Sequence, residues 1–262
     1  MRSTLRALPL LLAALVAASL ALSGCGSSLA TCGPSDDGSC LRILFIGNSY
    51  TYVNDLPGTL ARLAQAGGHT IETDSLANGG ATLADHLSDA ETAARLDSRA
   101  WDFVVLQEQS QIPSIADSRD YSMFPAARSL VGEIERRGEK PIFFMTWAHR
   151  DGAPDYGMPD YETMQHAVDR AYYSIARELD VAVAPVGDTW LVVRRQDPDI
   201  ALWQDDGSHP STAGTYLAAC VFYAAVFRQS PEGLGFDDGL AADTALILQR
   251  AAAQDVLATS AQ

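Results

Sequence analysis

The sequence predicts an α/β protein, a three-layer α/β/α sandwich built around a five-stranded parallel sheet. Two observations support this fold class. Short, nearly continuous apolar runs, typical of strands buried on both faces, alternate along the chain with longer segments whose apolar residues recur at helical spacing. Crossovers between such strands are right-handed and produce a parallel sheet that helices cover on both sides, which is a flavodoxin-like arrangement.

The strand-like runs are short and apolar, and the segments between them have helical character. We predict strands at 41–46, 70–76, 103–106, 141–146 and 181–185. We predict helices at 56–66, 82–96, 124–137, 161–179, 211–227 and 241–257. Ligands of such sheets bind outside the carboxyl ends of the strands, so the residues that directly follow each strand should share one edge.

The first 24 residues have the layout of a secretory signal. Arg2 and Arg6 precede an apolar run over 8–22, which is shorter than a typical membrane-spanning helix. The run leads into Leu-Ser-Gly-Cys25, which resembles the bacterial lipobox. This resemblance implies that Cys25 is the lipid-modified first residue of a protein exported to the cell envelope. An ordinary secretory signal with an incidental cysteine is the alternative.

The rest of the chain divides into a tether and one domain. Residues 25–40 are rich in Ser, Gly and Asp, which predicts a flexible tether, and 41–262 form a single domain. Cys32 and Cys40 predict a small-loop disulfide, and a metal site is the weaker alternative because no other ligand residue lies near them. The formal net charge of −15 argues against nucleic acid and anionic membrane surfaces as partners.

A candidate nucleophile follows the first predicted strand. Gly47 permits a sharp exit from the strand, and Ser49 then lies at the carboxyl edge of the sheet, just before a helix. A helix N-terminus stabilises negative charge that develops during nucleophilic attack. A helix cap or a phosphate contact is the alternative role for Ser49.

Position in the predicted fold separates the five histidines. Three of them fall within helices or at the opposite edge of the sheet, namely His86, His166 and His69. His149 and His209 lie at the same edge as Ser49. His209 follows Asp206 by three residues, so a tight turn can bring the carboxylate to the imidazole and fix its tautomer. A turn aspartate and a surface histidine are the alternative interpretation.

The two patterns together resemble those of the SGNH (GDSL-like) hydrolases, over about residues 41–230. That family has Gly-x-Ser after the first strand and Asp-x-x-His before a late helix. The resemblance implies the SGNH hydrolase fold, with Ser49 as nucleophile, His209 as base and Asp206 as the partner of the base. The first block departs from the usual Gly-Asp-Ser, since Asn48 stands in place of the aspartate.

The resemblance also implies an oxyanion hole, which would hold the negative oxygen formed during acyl transfer. The backbone N–H groups of Ser49 and Gly80 would contribute to it. The third block of the family supplies an asparagine side chain, but the corresponding segment here contains only glutamines. We predict Gln109 as the third donor, because it should lie just past the strand end. The alternatives are Gly79 for Gly80, and Gln107 or Gln111 for Gln109.

These residues predict a serine esterase that hydrolyses acyl esters, most simply acetyl esters, including those of carbohydrates, through an acyl-enzyme. The chemistry requires no metal and no organic cofactor. Asn48, Trp147 and His149 are predicted to contact the small-molecule or glycan ester substrate, and a place in the core is the alternative for Trp147. The altered third block favours one alternative, a non-catalytic surface lipoprotein that keeps the fold and binds glycans.

Overall fold

The structure is a computed structural model in which residues 31–33 and 39–259 are described. The predicted signal over 1–24, Cys25 and most of the tether lie outside the described residues. Cys32 and Cys40 form a disulfide, which is the pairing that the sequence predicts. Within the described residues, no helix combines the length and the apolar character needed to cross a membrane.

Five parallel strands form one sheet. They are β1 Cys40–Gly47, β2 Thr70–Ala77, β3 Phe103–Leu106, β4 Lys140–Phe144 and β5 Ala182–Ala184. Their order in the sheet is β2-β1-β3-β4-β5, and every neighbouring pair is parallel. Ile46 of β1 pairs with Leu76 on one side and with Leu106 on the other. The predicted fold class is confirmed, and the carboxyl ends of the strands lie at one edge.

Ten α-helices accompany the sheet over residues 39–259. They are α1 Ser49–Tyr52, α2 Leu56–Ala66, α3 Leu83–Ser88, α4 Ala90–Asp97, α5 Ala116–Ser118, α6 Phe124–Arg136, α7 Tyr161–Leu179, α8 Val186–Gln196, α9 Thr212–Phe227 and α10 Ala242–Thr259. Short 3-10 turns lie at Ile112–Ser114 and Pro154–Tyr156, and a π-helical turn lies at Arg119–Met123.

Helices cover both faces of the sheet, and the side chains of β1 alternate between the two layers. Ile43 and Phe45 belong to the apolar cluster shared with α2, α9 and α10, whereas Leu44 and Ile46 belong to the cluster shared with α3, α6 and α7. Helix α9 is buried from 213 to 224 because it packs against α2, α8 and α10. Cys220 on this helix is therefore a buried side chain.

One predicted helix needs correction, and helix α8 was not predicted. The segment predicted as one helix over 82–96 forms two helices, because Asp89 takes an extended conformation between them. Asp89 ends α3 and caps α4, since its side chain accepts the Glu91 N–H at 2.9 Å. The sequence pattern did not reveal α8, which begins after Pro185 without a capping side chain and contains Gly187, a residue that weakens helices.

Three carboxyl groups lie in a largely buried cluster where α7, α8 and α10 pack together. They belong to Asp169, Asp188 and Asp255. Gln165 Nε2 donates to Asp169 Oδ1 at 2.7 Å, and Tyr173 Oη donates to Asp188 Oδ2 at 2.5 Å. Burial raises the pKa of both Asp169 and Asp188 to about 6, and repulsion from neighbouring carboxylates adds to this effect.

This cluster predicts a pH dependence of stability. Between the usual aspartate pKa and about pH 6, the folded protein binds a proton that the unfolded chain has released, so the free energy of unfolding should fall as the pH rises. Asp188→Asn should reduce this slope and raise the free energy of unfolding at pH 7 by about 1–3 kcal/mol, as measured by urea denaturation. The exposed Asp199→Asn is the matched control. An unchanged slope in Asp188→Asn would contradict the prediction.

Candidate active site

The carboxyl edge of the sheet carries a cleft of about 320 Å³. The loops after β1, β2, β3 and β4 line it, together with the loop that precedes α9. The residues predicted for the site that lie in its wall are Asn48, Ser49, Gly79, Gly80, Gln109, His149 and His209. Within the described residues, no group of three or more His, Cys, Asp or Glu side chains is arranged to hold a metal ion.

Ser49, His209 and Asp206 form a continuous hydrogen-bonded line at this edge. Ser49 Oγ lies 3.0 Å from His209 Nε2, although the two residues are 160 positions apart in the chain. His209 Nδ1 lies 2.6 Å from Asp206 Oδ2. Asp206 Oδ1 accepts the backbone N–H groups of Ser208 and His209 at 2.9 and 3.0 Å, so the turn fixes the carboxylate.

The surroundings of Asp206 keep its carboxyl group ionised. Desolvation works against the charged form, but the hydrogen bonds from the His209 ring and from the N–H groups of Ser208 and His209 outweigh it. Together they lower the pKa of Asp206 to about 2. Because an ionised carboxylate only accepts hydrogen bonds, His209 Nδ1 carries a proton and Nε2 presents its lone pair to Ser49. This arrangement allows His209 to accept a proton from the Ser49 hydroxyl.

Two features fix the conformation at the end of β1, just before Ser49. A Cβ atom at Gly47 would approach Gln107 Oε1 to 2.5 Å and Thr51 Oγ1 to 2.7 Å, so the position requires glycine. The buried His86 ring places its Nε2 2.8 Å from the carbonyl oxygen of Gly47 and therefore donates to it. His86 lies within α3, as the sequence predicts, but its side chain supports the loop that carries Ser49.

Two reciprocal hydrogen bonds join the loops after β1 and β3. The Asn48 N–H donates to Gln107 Oε1, and Gln107 Nε2 donates to Asn48 Oδ1, both at 2.9 Å. Asn48 Nδ2 also donates to the Ala81 carbonyl at 2.9 Å, which an aspartate could not do. Asn48 is only 2% exposed, and its amide oxygen and nitrogen both hydrogen-bond within the protein. It also lines the cleft, and its contact with substrate stays a prediction.

Backbone donors from two loops lie at the cleft. Ser49, Gly79 and Gly80 all line it, and over residues 39–259 none of their N–H groups donates a hydrogen bond to another protein group. Gly80 has a φ of +73°, in the left-handed region that glycine adopts without strain. These N–H groups are therefore free to bind a negatively charged oxygen.

Gln109 lines the same cleft and has an oriented side chain. Its Oε1 accepts the backbone N–H groups of Gln111 and Ile112, at 2.8 and 3.2 Å. Its Nε2 makes only a long contact of 3.4 Å, with Ser110 Oγ. Because the oxygen is turned toward the backbone, the amide nitrogen is left as a donor for a group in the cleft.

The two alternatives to Gln109 have other positions. Gln107 is fully buried, and its Nε2 donates to Asn48 Oδ1 and to the Glu108 carbonyl, so both of its amide protons are used. Gln107 is therefore excluded as a direct donor to an oxyanion. Gln111 lies outside the wall of the cleft. Gln109 is the one of the three whose side chain the structure places at the site.

Comparison with solved structures identifies the family. A protein from Slackia heliotrinireducens, described as an SGNH hydrolase, is 33% identical and has a TM-score of 0.62. The match covers 71% of this chain and 99% of that protein. The chain belongs to the SGNH hydrolases. The family that the motifs predicted is therefore confirmed, and with it the hydrolase class.

Two more distant solved structures have a similar fold. A DUF4886 family protein from Bacteroides uniformis is 21% identical, with a TM-score of 0.73 over 83% of this chain and 95% of that protein. A catalytic variant of Axe2, an acetylxylan esterase from Geobacillus stearothermophilus, is 19% identical, with a TM-score of 0.56 over 77% of this chain and 97% of Axe2. No family model and no curated protein sequence matches the chain.

Trp147 of this SGNH hydrolase is a core residue, so the prediction that it contacts substrate is wrong. Its side chain has no exposed surface. The ring is stacked against Tyr50 and Trp190, with centroid distances of 4.5 and 4.0 Å. Its Nε1 donates to the Ser208 carbonyl at 3.0 Å. Trp147 therefore packs beneath α1 and the loop of His209 and supports both.

His149 lies in the cleft wall, within a row of hydroxyl groups. Its Nε2 lies 3.0 Å from Ser110 Oγ, and Tyr50 Oη lies 2.8 Å from Ser208 Oγ. Burial lowers the pKa of His149, and it raises the pKa of Tyr50 to about 12. The Tyr50 hydroxyl therefore stays protonated at neutral pH, and burial disfavours the charged form of the His149 ring.

The contact between Asn48 and Ala81 predicts the effect of restoring the usual family residue. Asn48→Asp should lower the free energy of unfolding by about 1–3 kcal/mol, because it removes a buried donor and leaves a carboxylate facing a carbonyl oxygen. Urea denaturation at neutral pH measures this change. Asn78→Asp makes the same replacement at an exposed position of the neighbouring turn and should cost less than about 0.5 kcal/mol. Equal losses in the two variants would argue against the assigned contact.

Proposed function

We propose that the protein is a serine esterase in which Ser49 attacks the carbonyl carbon of an acyl ester. One observation supports this above all others, the hydrogen-bonded line from Ser49 Oγ through His209 to Asp206. A hydroxyl, an imidazole with its Nε2 lone pair directed at that hydroxyl, and an ionised carboxylate are the groups that serve acyl transfer through a covalent intermediate.

The proposed reaction has two stages. His209 Nε2 accepts the Ser49 proton while Ser49 Oγ bonds to the carbonyl carbon, and the carbonyl oxygen takes up the electron pair. Collapse of this tetrahedral intermediate expels the alcohol, which receives the proton from His209 and leaves Ser49 acylated. Water then loses a proton to His209 as its oxygen bonds to the acyl carbon, and collapse of this second tetrahedral intermediate breaks the bond to Ser49 Oγ. Ser49 Oγ takes the proton back from His209, and the carboxylic acid leaves. Asp206 holds the ring and stabilises the imidazolium in both stages.

Three donors are proposed to hold the oxyanion. They are the backbone N–H groups of Ser49 and Gly80 and the side-chain Nε2 of Gln109, with Gly79 as the alternative to Gly80. The unpaired N–H groups at the cleft and the orientation of the Gln109 amide support this assignment. Removal of one such donor typically costs about 100- to 1000-fold in rate.

The proposed substrate is an ester with a short acyl group, most simply acetyl, on a carbohydrate or a small molecule. A cleft of about 320 Å³ is near the lower end of the range for small-molecule sites, which favours a short acyl chain. Tyr52 lines the cleft and is 47% exposed, so its ring is available for stacking with a sugar. The acetylxylan esterase Axe2 supports the carbohydrate only by analogy of fold.

We also propose that the enzyme is exported and anchored at the cell envelope by a lipid on Cys25. The signal-like segment over 1–24 and its lipobox-like ending support export. The disulfide between Cys32 and Cys40 is consistent with an oxidising compartment outside the cytosol. The catalytic domain would then meet its substrates outside the cytoplasmic membrane.

The first prediction for this function concerns the nucleophile. Ser49→Ala should abolish both the turnover of p-nitrophenyl acetate and the labelling of the protein by a fluorophosphonate probe, because no oxygen is left to form the acyl-enzyme. Asp206→Asn should lower kcat by about 10⁴-fold, since the ring would lose its charged partner. Ser98→Ala, which removes an exposed hydroxyl at the end of α4, is the matched control. A folded wild type that neither labels nor turns over esters would refute the proposal.

A second prediction concerns the anchor. Cys25→Ala should move the protein from the membrane fraction to the soluble fraction of a bacterial host and abolish the incorporation of labelled palmitate, since the lipid would have no attachment site. Cys220→Ala, at a buried cysteine of α9, should leave both properties unchanged. Continued palmitate labelling of Cys25→Ala would show that the lipid is attached elsewhere.

A further inference from the structure

We propose that Glu108 is a positioning residue of the esterase site, whose carboxylate ties together the two segments that supply oxyanion donors. This inference rests on the function proposed above. Glu108 Oε1 accepts the Gln109 N–H at 2.6 Å and the Leu83 N–H at 3.2 Å, and Oε2 lies 3.4 Å from the same Leu83 nitrogen. Gln109 carries the proposed side-chain donor, and Leu83 begins α3 directly after the turn that contains Gly80.

The environment of Glu108 is unusual for a carboxyl group. Its side chain is fully buried, and over residues 39–259 no Arg or Lys forms an ion pair with it. Burial raises the pKa of Glu108 to about 7, and the nearby Asp85 acts in the same direction. A buried carboxyl group without a cation is costly, and an apolar side chain would fill the same volume without that cost. We attribute the presence of a carboxyl group at this position to the two backbone N–H groups whose hydrogen bonds it accepts.

Contacts on both sides of Glu108 restrict the neighbouring backbone. The Glu108 N–H donates to Tyr172 Oη at 3.2 Å, and its carbonyl accepts Gln107 Nε2 at 2.6 Å. The carboxylate then fixes the Gln109 N–H, and the Gln109 amide is oriented by the backbone that follows it. The direction of the proposed donor therefore depends on the conformation that Glu108 imposes.

The loss of this carboxylate should affect the chemical step and not the binding of substrate. The N–H groups of Leu83 and Gln109 would lose a shared acceptor, and the turn of Gly80 could then move independently of Gln109. Oxyanion donors act on charge that is present in the transition state and absent from the bound ester. A displacement of these donors should therefore lower kcat and leave KM nearly unchanged.

Two variants of matched size test this role. Glu108→Met keeps the volume but has no acceptor, whereas Glu108→Gln keeps an oxygen at the position of Oε1, which receives both N–H groups. With p-nitrophenyl acetate, Glu108→Met should lose about 10- to 100-fold in kcat, with KM within about twofold of wild type, and Glu108→Gln should retain most of the activity. Affinity for a boronic acid that forms a tetrahedral adduct on Ser49 should fall in parallel with kcat.

Glu139 provides the control. It is also buried, at 6% exposure, and accepts a backbone N–H, that of Trp101 at 3.1 Å, but it precedes β4 at the opposite edge of the sheet. Glu139→Met should lower the melting temperature without a change in kcat. If Glu108→Met does not fold, Glu108→Asp makes the same test, because the shorter side chain withdraws the acceptor while it keeps the charge.

Three results would overturn the inference, and two of them leave the proposed function standing. A Glu108→Met enzyme with the kcat of wild type would show that the carboxylate does not position the donors. Equal losses in Glu108→Gln and Glu108→Met would show that the acceptor oxygen is not what matters. A folded wild type without any esterase activity would instead refute the proposed function and, with it, the role of Glu108.

Discussion

The pairing of β1 with β2 on one side and β3 on the other determines where the functional groups lie. Ile46 is level with both Leu76 and Leu106, so three loops leave the sheet at the same height and on adjacent strands. Ser49, Gly80 and Gln109 each belong to a different one of these loops. A shift of one residue in either pairing would turn the end of a strand to the other face and separate the backbone donors from the nucleophile.

Two departures from the usual family pattern are physically linked. Asn48 stands where the family has an aspartate, and glutamines stand in the third block where the family has an asparagine. The backbone N–H of Asn48 donates to Gln107 Oε1, and Gln107 Nε2 donates back to Asn48 Oδ1, so the glutamine amide serves as both acceptor and donor. The longer side chain of Gln107 reaches the loop that carries Ser49 and is hydrogen-bonded to it. Gln109 lines the cleft instead. The altered third block, which alone favoured a non-catalytic protein, is therefore compatible with a complete set of donors.

The sequence was sufficient for features that depend on chain order and spacing. The strand and helix alternation predicted the sheet, and the spacing of Asp206 and His209 predicted their contact. The sequence favoured Gln109 only from its position just past the strand end and left Gln107 and Gln111 as alternatives, because their roles depend on which groups each side chain meets. Trp147 was misassigned because an aromatic residue after a strand has the same sequence signal in a core and in a cleft. The support from His86 depends on packing of α3 against the end of β1, which no local pattern encodes.

The fold shifts the pKa values of two carboxyl groups near the cleft in opposite directions. Asp206 lies in an exposed turn and accepts three hydrogen bonds, which lower its pKa to about 2, so it remains charged beside His209 at neutral pH. Glu108 lies in the interior with two backbone donors, and burial raises its pKa to about 7. The exposed site allows a charged partner for the base without a large desolvation cost, because water still solvates part of the carboxylate. Glu108 lacks that solvation in the interior, but its two hydrogen bonds fix the geometry between two loops. In the proposed esterase, the first carboxyl group thus supplies charge to the reaction, and the second supplies position.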